Sequence, residues 1–268
     1  MHTHSLFCDG NDHPHEMTET AIAKGFDILG FSGHGFSPFD ECSMTPEKTA
    51  QYIETVTSLK QEYQDRITLY LGIEEDMTNR ISDESPYDFV IGSVHFLKKN
   101  GEVRPIDASR AQFDAMLEEW YSGDFCALAE DYYREVSHMK DCPEVHIIGH
   151  LDLLMKYSEQ THYISPDDPR YLRLAEDCIH ALGTDKIYEV NTGAIARGYR
   201  STPYPSVHLL QILHSVNAKL MLNSDCHDRR YLDCGFAQAL ALIRKTGFQE
   251  LYILKNGEYL PVSADEFH

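Results

Sequence analysis

The chain has 268 residues and a formal net charge of −20, with 43 acidic and 23 basic side chains. Such an acidic chain argues against nucleic-acid binding, because phosphate backbones are bound by clustered Lys and Arg. No apolar run approaches the roughly 20 residues of a membrane span, and the N-terminus has no signal-peptide pattern. The seven scattered cysteines lack CxxC spacing, which indicates reduced thiols in a cytoplasmic protein.

Short apolar runs alternate with helical segments along the whole chain. The predicted helices are 17–24, 47–64, 109–120, 123–140, 169–182, 206–217 and 235–246. A very short first strand at His2 precedes predicted strands at 26–31, 67–73, 87–94, 145–149, 186–191, 218–223 and 250–254. This alternation is typical of a parallel α/β fold. Because we find no internal repeat or linker, we expect a single domain over residues 1–268.

The first nine residues, MHTHSLFCD, carry two histidines and an aspartate. In an extended segment, His2 and His4 point to the same side, so that their imidazoles can face one metal ion. Asp9 follows a short turn and can add an oxygen ligand. In a chain with 15 histidines, this spacing alone is equally compatible with a solvated tail. Residues farther along the chain must therefore decide between the two interpretations.

Six similar residues lie just past the ends of other predicted strands. They are His34, Glu74, His95, His150, Asp225 and His227. Individually they are compatible with loop histidines, surface acids or hydrogen-bonded core histidines. In a (β/α) barrel, however, the carboxyl ends of all strands meet at one mouth, whereas an open sheet binds ligands at one switch point. Their joint occurrence therefore favours a closed ring of seven or eight strands around a metal site.

Imidazole and carboxylate groups are ligands that suit zinc, iron and manganese. The nine candidate ligands are too many for one ion of four to six coordination. We therefore expect two or three divalent metal ions, with Glu74 and Asp225 as candidate bridging carboxylates. Cations held roughly 3.5–4 Å apart can share a hydroxide nucleophile and neutralise the oxygens of a phosphate ester. The pattern thus predicts metal-dependent phosphate-ester hydrolysis.

Seven segments also match one known family in the family's order. They are HTHSLFCDG (2–10), GFDILGFSGHG (25–35), GIEED (72–76), YDFVIGSVH (87–95), GHLDLLMKY (149–157), YEVNTG (188–193) and NSDCH (223–227). These segments resemble the PHP (polymerase and histidinol phosphatase) superfamily, and more narrowly its histidinol-phosphate phosphatases. The resemblance implies a distorted (β/α)7 TIM-like barrel, usually three divalent metals, and hydrolysis of histidinol phosphate to histidinol and phosphate.

The same resemblance implies a complete ligand set. By motif match, the family's metal positions fall on His2, His4, Asp9, His34, Glu74, His95, His150, Asp225 and His227. The third position varies between His and Asp in the family. Asp9 is preferred because it falls five residues after His4, and His15 is the alternative.

A phosphate monoester is dianionic near neutral pH, so we expect cationic side chains beside the metals. Arg197 is the first candidate for substrate binding and for charge stabilisation, and Lys156 is the second. Lys156 and Arg200 are equally compatible with ordinary surface charges. The leaving alkoxide needs a proton, for which Asp225, His227 and metal-bound water are all candidates.

Two other classes of function remain open at this point. A different hydrolase on the same scaffold could be a phosphodiesterase, a nuclease or an amidohydrolase. The acidic charge disfavours a nuclease, and an amidohydrolase commonly places a lysine where this chain has Glu74. A non-catalytic metal-binding domain is disfavoured because a closed structural zinc site typically uses four ligands.

Overall fold

The computed structural model describes residues 1–80 and 85–267. Its strands in chain order are β1 (Ile28–Phe31), β2 (Thr68–Asp76), β3 (Phe89–Ser93), β4 (Phe96–Lys99), β5 (Glu102–Pro105), β6 (Ile147–Ile148), β7 (Ile187–Asn191), β8 (Lys219–Asn223), β9 (Glu250–Lys255) and β10 (Glu258–Ser263). Six of them form one parallel sheet in the order β1-β2-β3-β6-β7-β8. Two separate antiparallel hairpins are formed by β4 with β5 and by β9 with β10. The predicted parallel α/β class is confirmed.

Helices connect the strands of the sheet. They are α1 (Pro14–Ala23), α2 (Pro46–Glu62), α3 (Arg110–Tyr121), α4 (Phe125–Ser137), α5 (Ser158–Thr161), α6 (Pro169–Leu182), α7 (Gly193–Ala196), α8 (Val207–Ser215) and α9 (Phe236–Lys245). Single 3₁₀ turns lie at His138–Asp141, Leu153–Met155 and Arg229–Tyr231. Within the described ranges, each helix is too short or too polar to cross a membrane.

Capping explains where two of these helices begin. The Thr45 hydroxyl accepts a hydrogen bond from the Lys48 N–H at the start of α2, as residues of this type do at N-caps. At α1, the His13 side chain accepts from the backbone, and Glu16 completes a capping box. The helix therefore begins at Pro14, three residues before the predicted start at Met17.

The two faces of the sheet pack against different partners. The large outer core contains residues from the helices and from the outward-facing positions of the strands. A smaller inner cluster consists of Tyr70, Phe89, Ile91, Ile147, Ile187, Met221 and Leu254. Because Leu254 belongs to β9, the β9–β10 hairpin contributes to this inner cluster. The strands are thus covered on both sides, as is usual for a parallel sheet.

The N-terminal segment touches both edges of the sheet. The His4 N–H donates to the Cys226 carbonyl at 2.8 Å, just past the end of β8. The Thr3 carbonyl accepts from the Ser32 N–H at 2.9 Å, just past the end of β1. Thr3 and Cys226 form an isolated parallel bridge rather than a strand. The sheet is therefore curled strongly enough for the adjacent residues Thr3 and His4 to reach both of its edges.

The parallel ladder of the described residues has six strands, and the N-terminal segment predicted as a very short first strand forms only the isolated Thr3–Cys226 bridge. Two predictions about the other strands were wrong. The strand predicted at 67–73 does not end before Glu74, because β2 continues to Asp76 and Glu74 pairs with Ile91 of β3. The strand predicted at 250–254 does exist as β9, but it pairs antiparallel with β10 instead of following the parallel pattern.

Both hairpins carry a local signal that explains them. Asn100-Gly101 joins β4 to β5, and Asn256-Gly257 joins β9 to β10. All four residues have positive φ angles, of 52°, 84°, 54° and 79° in chain order. Asn-Gly is the preferred pair for tight hairpin turns, since both residues tolerate the left-handed region. The two turns therefore direct local antiparallel pairing within an otherwise parallel fold.

We expect the variant Gly72→Ala to destabilise the protein. A Cβ atom on Gly72 in β2 would lie 2.2 Å from the ring of Phe89, and the Gly72 carbonyl also accepts a hydrogen bond from Tyr52. Overpacking of this kind costs about 1–3 kcal/mol of unfolding free energy, measurable by urea denaturation. The comparison is Gly30→Ala in β1, where the nearest atoms are the flexible end of the Met1 side chain. Equal losses in the two variants would contradict this explanation.

Candidate metal centre

The nine predicted ligands lie together at the carboxyl end of the sheet. Most are buried, whereas Asp9, His34 and His227 are partly exposed. His2 and His4 flank the Thr3 bridge, and His34 forms an isolated bridge with Glu74. The structure therefore brings together residues that are separated by up to 225 positions in the chain, from His2 to His227.

Glu74 is at the centre of this cluster. Its carboxylate is buried, and its Oε1 atom accepts a hydrogen bond from the Ser93 hydroxyl at 2.6 Å. Five imidazole nitrogens lie close to its two oxygens: those of His2 (3.1 Å), His4 (3.4 Å), His34 (3.2 Å), His95 (3.3 Å) and His150 (3.0 Å). One carboxylate thus contacts histidines from several different segments.

Asp225 is a second shared carboxylate. Its Oδ1 atom lies 3.3 Å from His4 Nε2 and 3.6 Å from His2 Nε2, and its Oδ2 atom accepts from Arg197 Nη2 at 3.0 Å. The residue has a φ of +46°, in the left-handed region that Asp tolerates better than most residues. Such strained conformations at the end of a strand are often found in functional sites.

Asp9, rather than His15, belongs to the cluster. Its two oxygens lie 3.4 Å from His4 Nδ1 and 3.1 Å from His227 Nε2. His15 is exposed, and its Nε2 atom lies 2.9 Å from the Tyr63 hydroxyl. A role in the first turn of α1 and its packing therefore accounts for His15.

Three overlapping groups of these side chains have ligand atoms within 4.8 Å of one another. The groups are His4–Asp9–His34–His227, His2–His4–Glu74 and His34–Glu74–His95. His4, His34 and Glu74 each belong to two groups, so that neighbouring cations could share ligands. Within the described chain, the buried atoms His2 Nε2, His4 Nε2 and Asp9 Oδ1 have no hydrogen-bond partner. Because buried polar atoms are normally paired, these atoms fit a site for cations.

Electrostatics keep both central carboxylates ionised. Burial opposes ionisation of Glu74, but the neighbouring His2 and His95 outweigh it and hold its pKa well below the usual value. Burial likewise opposes ionisation of Asp225, and Arg197 and His2 lower its pKa well below the usual value. Both groups are therefore negatively charged at neutral pH, as metal ligands must be.

The pKa values of the buried His4 and His2 are shifted in opposite directions. Burial, followed by repulsion from His227 and His34, lowers the pKa of His4 to about 3, so that it is neutral. Burial also disfavours protonated His2, but the carboxylates of Glu189 and Glu74 outweigh it and raise its pKa well above the usual value. The surrounding carboxylates thus favour the protonated form of His2.

Sequence reasoning missed Glu189, which lies in the middle of β7. It is fully buried, and His2 Nδ1–H donates to its Oε1 at 2.7 Å. Its carboxylate also accepts from the His150 N–H (2.8 Å) and from the amides of Asn191 and Asn223 (both 2.9 Å). A carboxylate of this kind fixes the tautomer and orientation of a ligand histidine. The available signal was an acidic residue inside the apolar strand IYEVN.

Asp76 was missed in the same way. Its Oδ2 atom accepts from the His95 N–H at 2.6 Å and lies 3.2 Å from His95 Nδ1. Because β2 continues past Glu74, the alternation of side chains places Glu74 and Asp76 on the same face. The predicted end of the strand at Ile73 concealed this relationship.

The predicted substrate-binding cations are less exposed than ordinary surface charges. Lys156 and Arg200 are each only 8% exposed, so the surface-charge alternative was wrong. Lys156 Nζ donates to the Asp107 carbonyl at 2.7 Å and to its carboxylate at 3.3 Å. Arg200 pairs with the buried Asp152 at 3.6 Å. Arg197, whose side chain is 30% exposed, also contacts His227 Nδ1 through its Nη1 atom at 2.8 Å.

The arrangement of these residues agrees with comparisons to known proteins. The sequence profile described as the PHP domain matches residues 1–193. The chain belongs to the PHP domain family. Its family resemblance, predicted from seven short segments, is therefore confirmed.

Relatives of this PHP domain protein match it over nearly their whole length. The histidinol-phosphatase of Bacillus subtilis is 26% identical over 91% of this chain and 97% of its own. The crystal structure of hisK from Listeria monocytogenes has a TM-score of 0.73 at 21% identity, over 88% of this chain and 98% of its own. The structure of the histidinol phosphate phosphatase of Lactococcus lactis, complexed with Zn, L-histidinol and phosphate, has a TM-score of 0.65 at 21% identity. This match covers 96% of this chain and 97% of the Lactococcus lactis chain. These two structures show that the fold is shared.

Proposed function

We propose that this chain is a metal-dependent phosphomonoesterase that hydrolyses L-histidinol phosphate to L-histidinol and phosphate. The observation that carries the proposal is the buried Glu74 carboxylate with five imidazoles around it. The name of the Bacillus subtilis relative and the ligands of the Lactococcus lactis structure support the substrate.

Two or three divalent ions of zinc, iron or manganese fit this donor set of imidazole and carboxylate. The residues that would hold them are His2, His4, Asp9, His34, Glu74, His95, His150, Asp225 and His227. Bound there, such cations supply positive charge for phosphate oxygens and lower the pKa of water. The orphaned atoms His2 Nε2, His4 Nε2 and Asp9 Oδ1 are the strongest support from the described residues.

Arg197 is the side chain best placed to bind the phosphate group. Burial disfavours its charge, but contact with Asp225 raises its pKa above the usual value, so the guanidinium remains charged. Its fork of donors matches the oxygens of a phosphate ester. Lys156 would add a second positive charge, with Asp107 fixing its position.

Asp225 is the best candidate for proton transfer. The Asp225 carboxylate is ionised, so Oδ1 can accept the proton of an attacking water. The same atom can then return this proton to the leaving alkoxide. His227, which was predicted as a candidate together with Asp225 and metal-bound water, would instead orient Arg197 through the contact at Nδ1.

We also infer that the N-terminal segment takes the seventh place in a distorted (β/α)7 ring, in one domain. Its backbone bonds to the ends of both β1 and β8 support this closure. A cytoplasmic location is part of the same proposal, and the free thiols of all seven cysteines suit it.

The substrate is tested by elemental analysis of the purified protein, followed by turnover after each metal is restored. Histidinol phosphate is assayed beside an aryl phosphate, a phosphodiester and an amide. We expect the highest kcat/KM with histidinol phosphate and activity that depends on the metal. A preference for the diester or the amide would overturn the proposed reaction, while leaving the metal centre in place.

We expect metal binding to release protons at pH 7. His2 lies between Glu189 and Glu74, and His95 lies between Asp76 and Glu74. Burial alone would lower the pKa of both histidines, but the neighbouring carboxylates outweigh it and raise both pKa values. Both imidazoles are therefore in the protonated form, and a metal ion must displace one proton from each. The affinity for the metal ion should accordingly rise with pH.

This release is measured by calorimetric titration of zinc in buffers with different ionisation enthalpies. The apparent enthalpy should vary with the buffer in the sense of proton release. The variant His138→Gln serves as a control, since His138 is exposed and lies outside the cluster. An apparent enthalpy that is independent of the buffer would contradict protonated His2 and His95.

A further inference from the structure

A cavity lies at the opposite end of the sheet from the metal cluster. It has a volume of about 390 Å³ and is lined by residues at the amino-terminal ends of β6, β7 and β8 and by the β9–β10 hairpin. Val145, Lys186 and Lys219 mark the strand starts that reach it. Because the predicted ligands follow the carboxyl ends of the strands, this cavity is separate from the proposed active site.

The charge of this cavity is opposite to that of the whole protein. Lys140, Lys186 and Lys219 line it, and among the lining residues that the structure describes, Asp185 alone carries a carboxylate. The complete chain has a net charge of −20. A local excess of positive charge in such a chain concentrates small anions at this place.

Two of the polar groups are held in fixed positions. Lys186 Nζ donates to the carbonyls of Cys142 and Val145, both at 2.6 Å, which leaves one of its three N–H bonds for another acceptor. The Val90 N–H donates to His146 Nδ1 at 3.1 Å, so the neutral imidazole carries its proton on Nε2. Burial, and then Lys186, lower the pKa of His146, which favours this neutral form.

The walls of the cavity are aromatic. Tyr252 and Tyr259 project from the hairpin, and the rings of Tyr259 and His146 are 6.0 Å apart. Lys219 Nζ lies 5.9 Å from the centre of the Tyr252 ring. Among the described residues, the buried Tyr259 hydroxyl has no hydrogen-bond partner. The cavity wall therefore combines aromatic rings with a hydroxyl group that is available for hydrogen bonding.

We propose that this cavity binds a small organic anion in which a phosphate-like or carboxylate oxyanion is attached to a planar ring. Lys219, Lys186 and the Tyr259 hydroxyl bind the oxyanion, and the rings of Tyr252 and His146 contact the planar part. The volume of the cavity lies within the usual range for small-molecule sites. The site does not depend on the proposed phosphatase activity.

The test uses the metal-loaded protein and 4-fluorophenylphosphonate, which is not hydrolysed as a phosphate ester. Binding is followed by ¹⁹F NMR and located by hydrogen exchange. We expect protection of peptides covering 140–146, 185–188 and 250–260. The neutral ring compound 4-fluorobenzyl alcohol should give no protection there, and inorganic phosphate should give a weaker effect. Protection confined to peptides of the metal cluster would overturn the proposal, as would equal protection by the neutral compound.

Charge-reversal variants test the same site quantitatively. Lys219→Glu should weaken binding by about tenfold, the effect of losing one charged contact. Lys140→Glu should also weaken binding, because it places a negative charge in the lining of the cavity. Tyr259→Phe should weaken it without changing the charge. The control Lys48→Glu changes the net charge equally but lies on the exposed start of α2, so it should bind as the wild type does. Equal affinities for Lys140→Glu, Lys219→Glu and Lys48→Glu would contradict the proposal.

Discussion

The variant Glu74→Gln should lose both its bound metal and its phosphatase activity. Five imidazole nitrogens lie within 3.4 Å of this carboxylate. The amide keeps the shape of the side chain but removes the negative charge that cations would share. Because the metals supply most of the charge needed for phosphoryl transfer, we expect kcat to fall by about 10³-fold or more. Elemental analysis and turnover of histidinol phosphate measure the two effects together.

The neighbouring residue provides a matched control for this variant. Glu75 is also fully buried in β2, but it points to the other face of the strand, where it pairs with Arg80 at 3.6 Å. Glu75→Gln makes the same chemical change and should keep the metal content of the wild type. Full activity of Glu74→Gln without metal would contradict the proposed function.

The variant Arg197→Met should separate substrate binding from metal binding. Arg197 donates to Asp225 at 3.0 Å and to His227 at 2.8 Å, and its charge faces the cluster without belonging to the predicted ligands. Losing one preorganised donor to a transition-state oxyanion typically costs about 10²–10³-fold in kcat. We therefore expect a loss of this size in kcat/KM, with the metal content unchanged.

The control for Arg197→Met is Arg173→Met, which removes one exposed guanidinium from α6. This control should keep wild-type kinetics. If Arg197→Met lost its metal in proportion to its activity, the guanidinium would be a support of the metal centre rather than a phosphate-binding group. Unchanged kcat/KM would exclude both roles.

The sequence was most informative where short-range geometry controls position. His2 and His4 could be paired because alternate side chains of an extended segment point to the same side. His95 and His150 could be placed at the same end of the sheet because each follows an apolar run of strand type. Those rules predicted that the nine side chains would meet, and the structure brings them together. The six parallel strands were also recognisable from their apolar runs, because strands covered on both faces need apolar residues throughout.

The supporting residues were harder to predict because their partners are distant in sequence. Glu189 binds His2 across 187 positions, and Lys156 binds Asp107 across 49. Neither pairing leaves a periodic pattern in the chain. The hairpins are a different case, since Asn100-Gly101 and Asn256-Gly257 are local turn signals that sequence reasoning could have used.

The most direct measurement is anomalous diffraction from crystals of the zinc- or manganese-loaded protein. Two or three anomalous peaks are expected among His2, His4, Glu74 and Asp225, at about 2.0–2.3 Å from their ligand atoms. A single peak, or peaks only outside this cluster, would contradict a centre in which several cations share the Glu74 carboxylate.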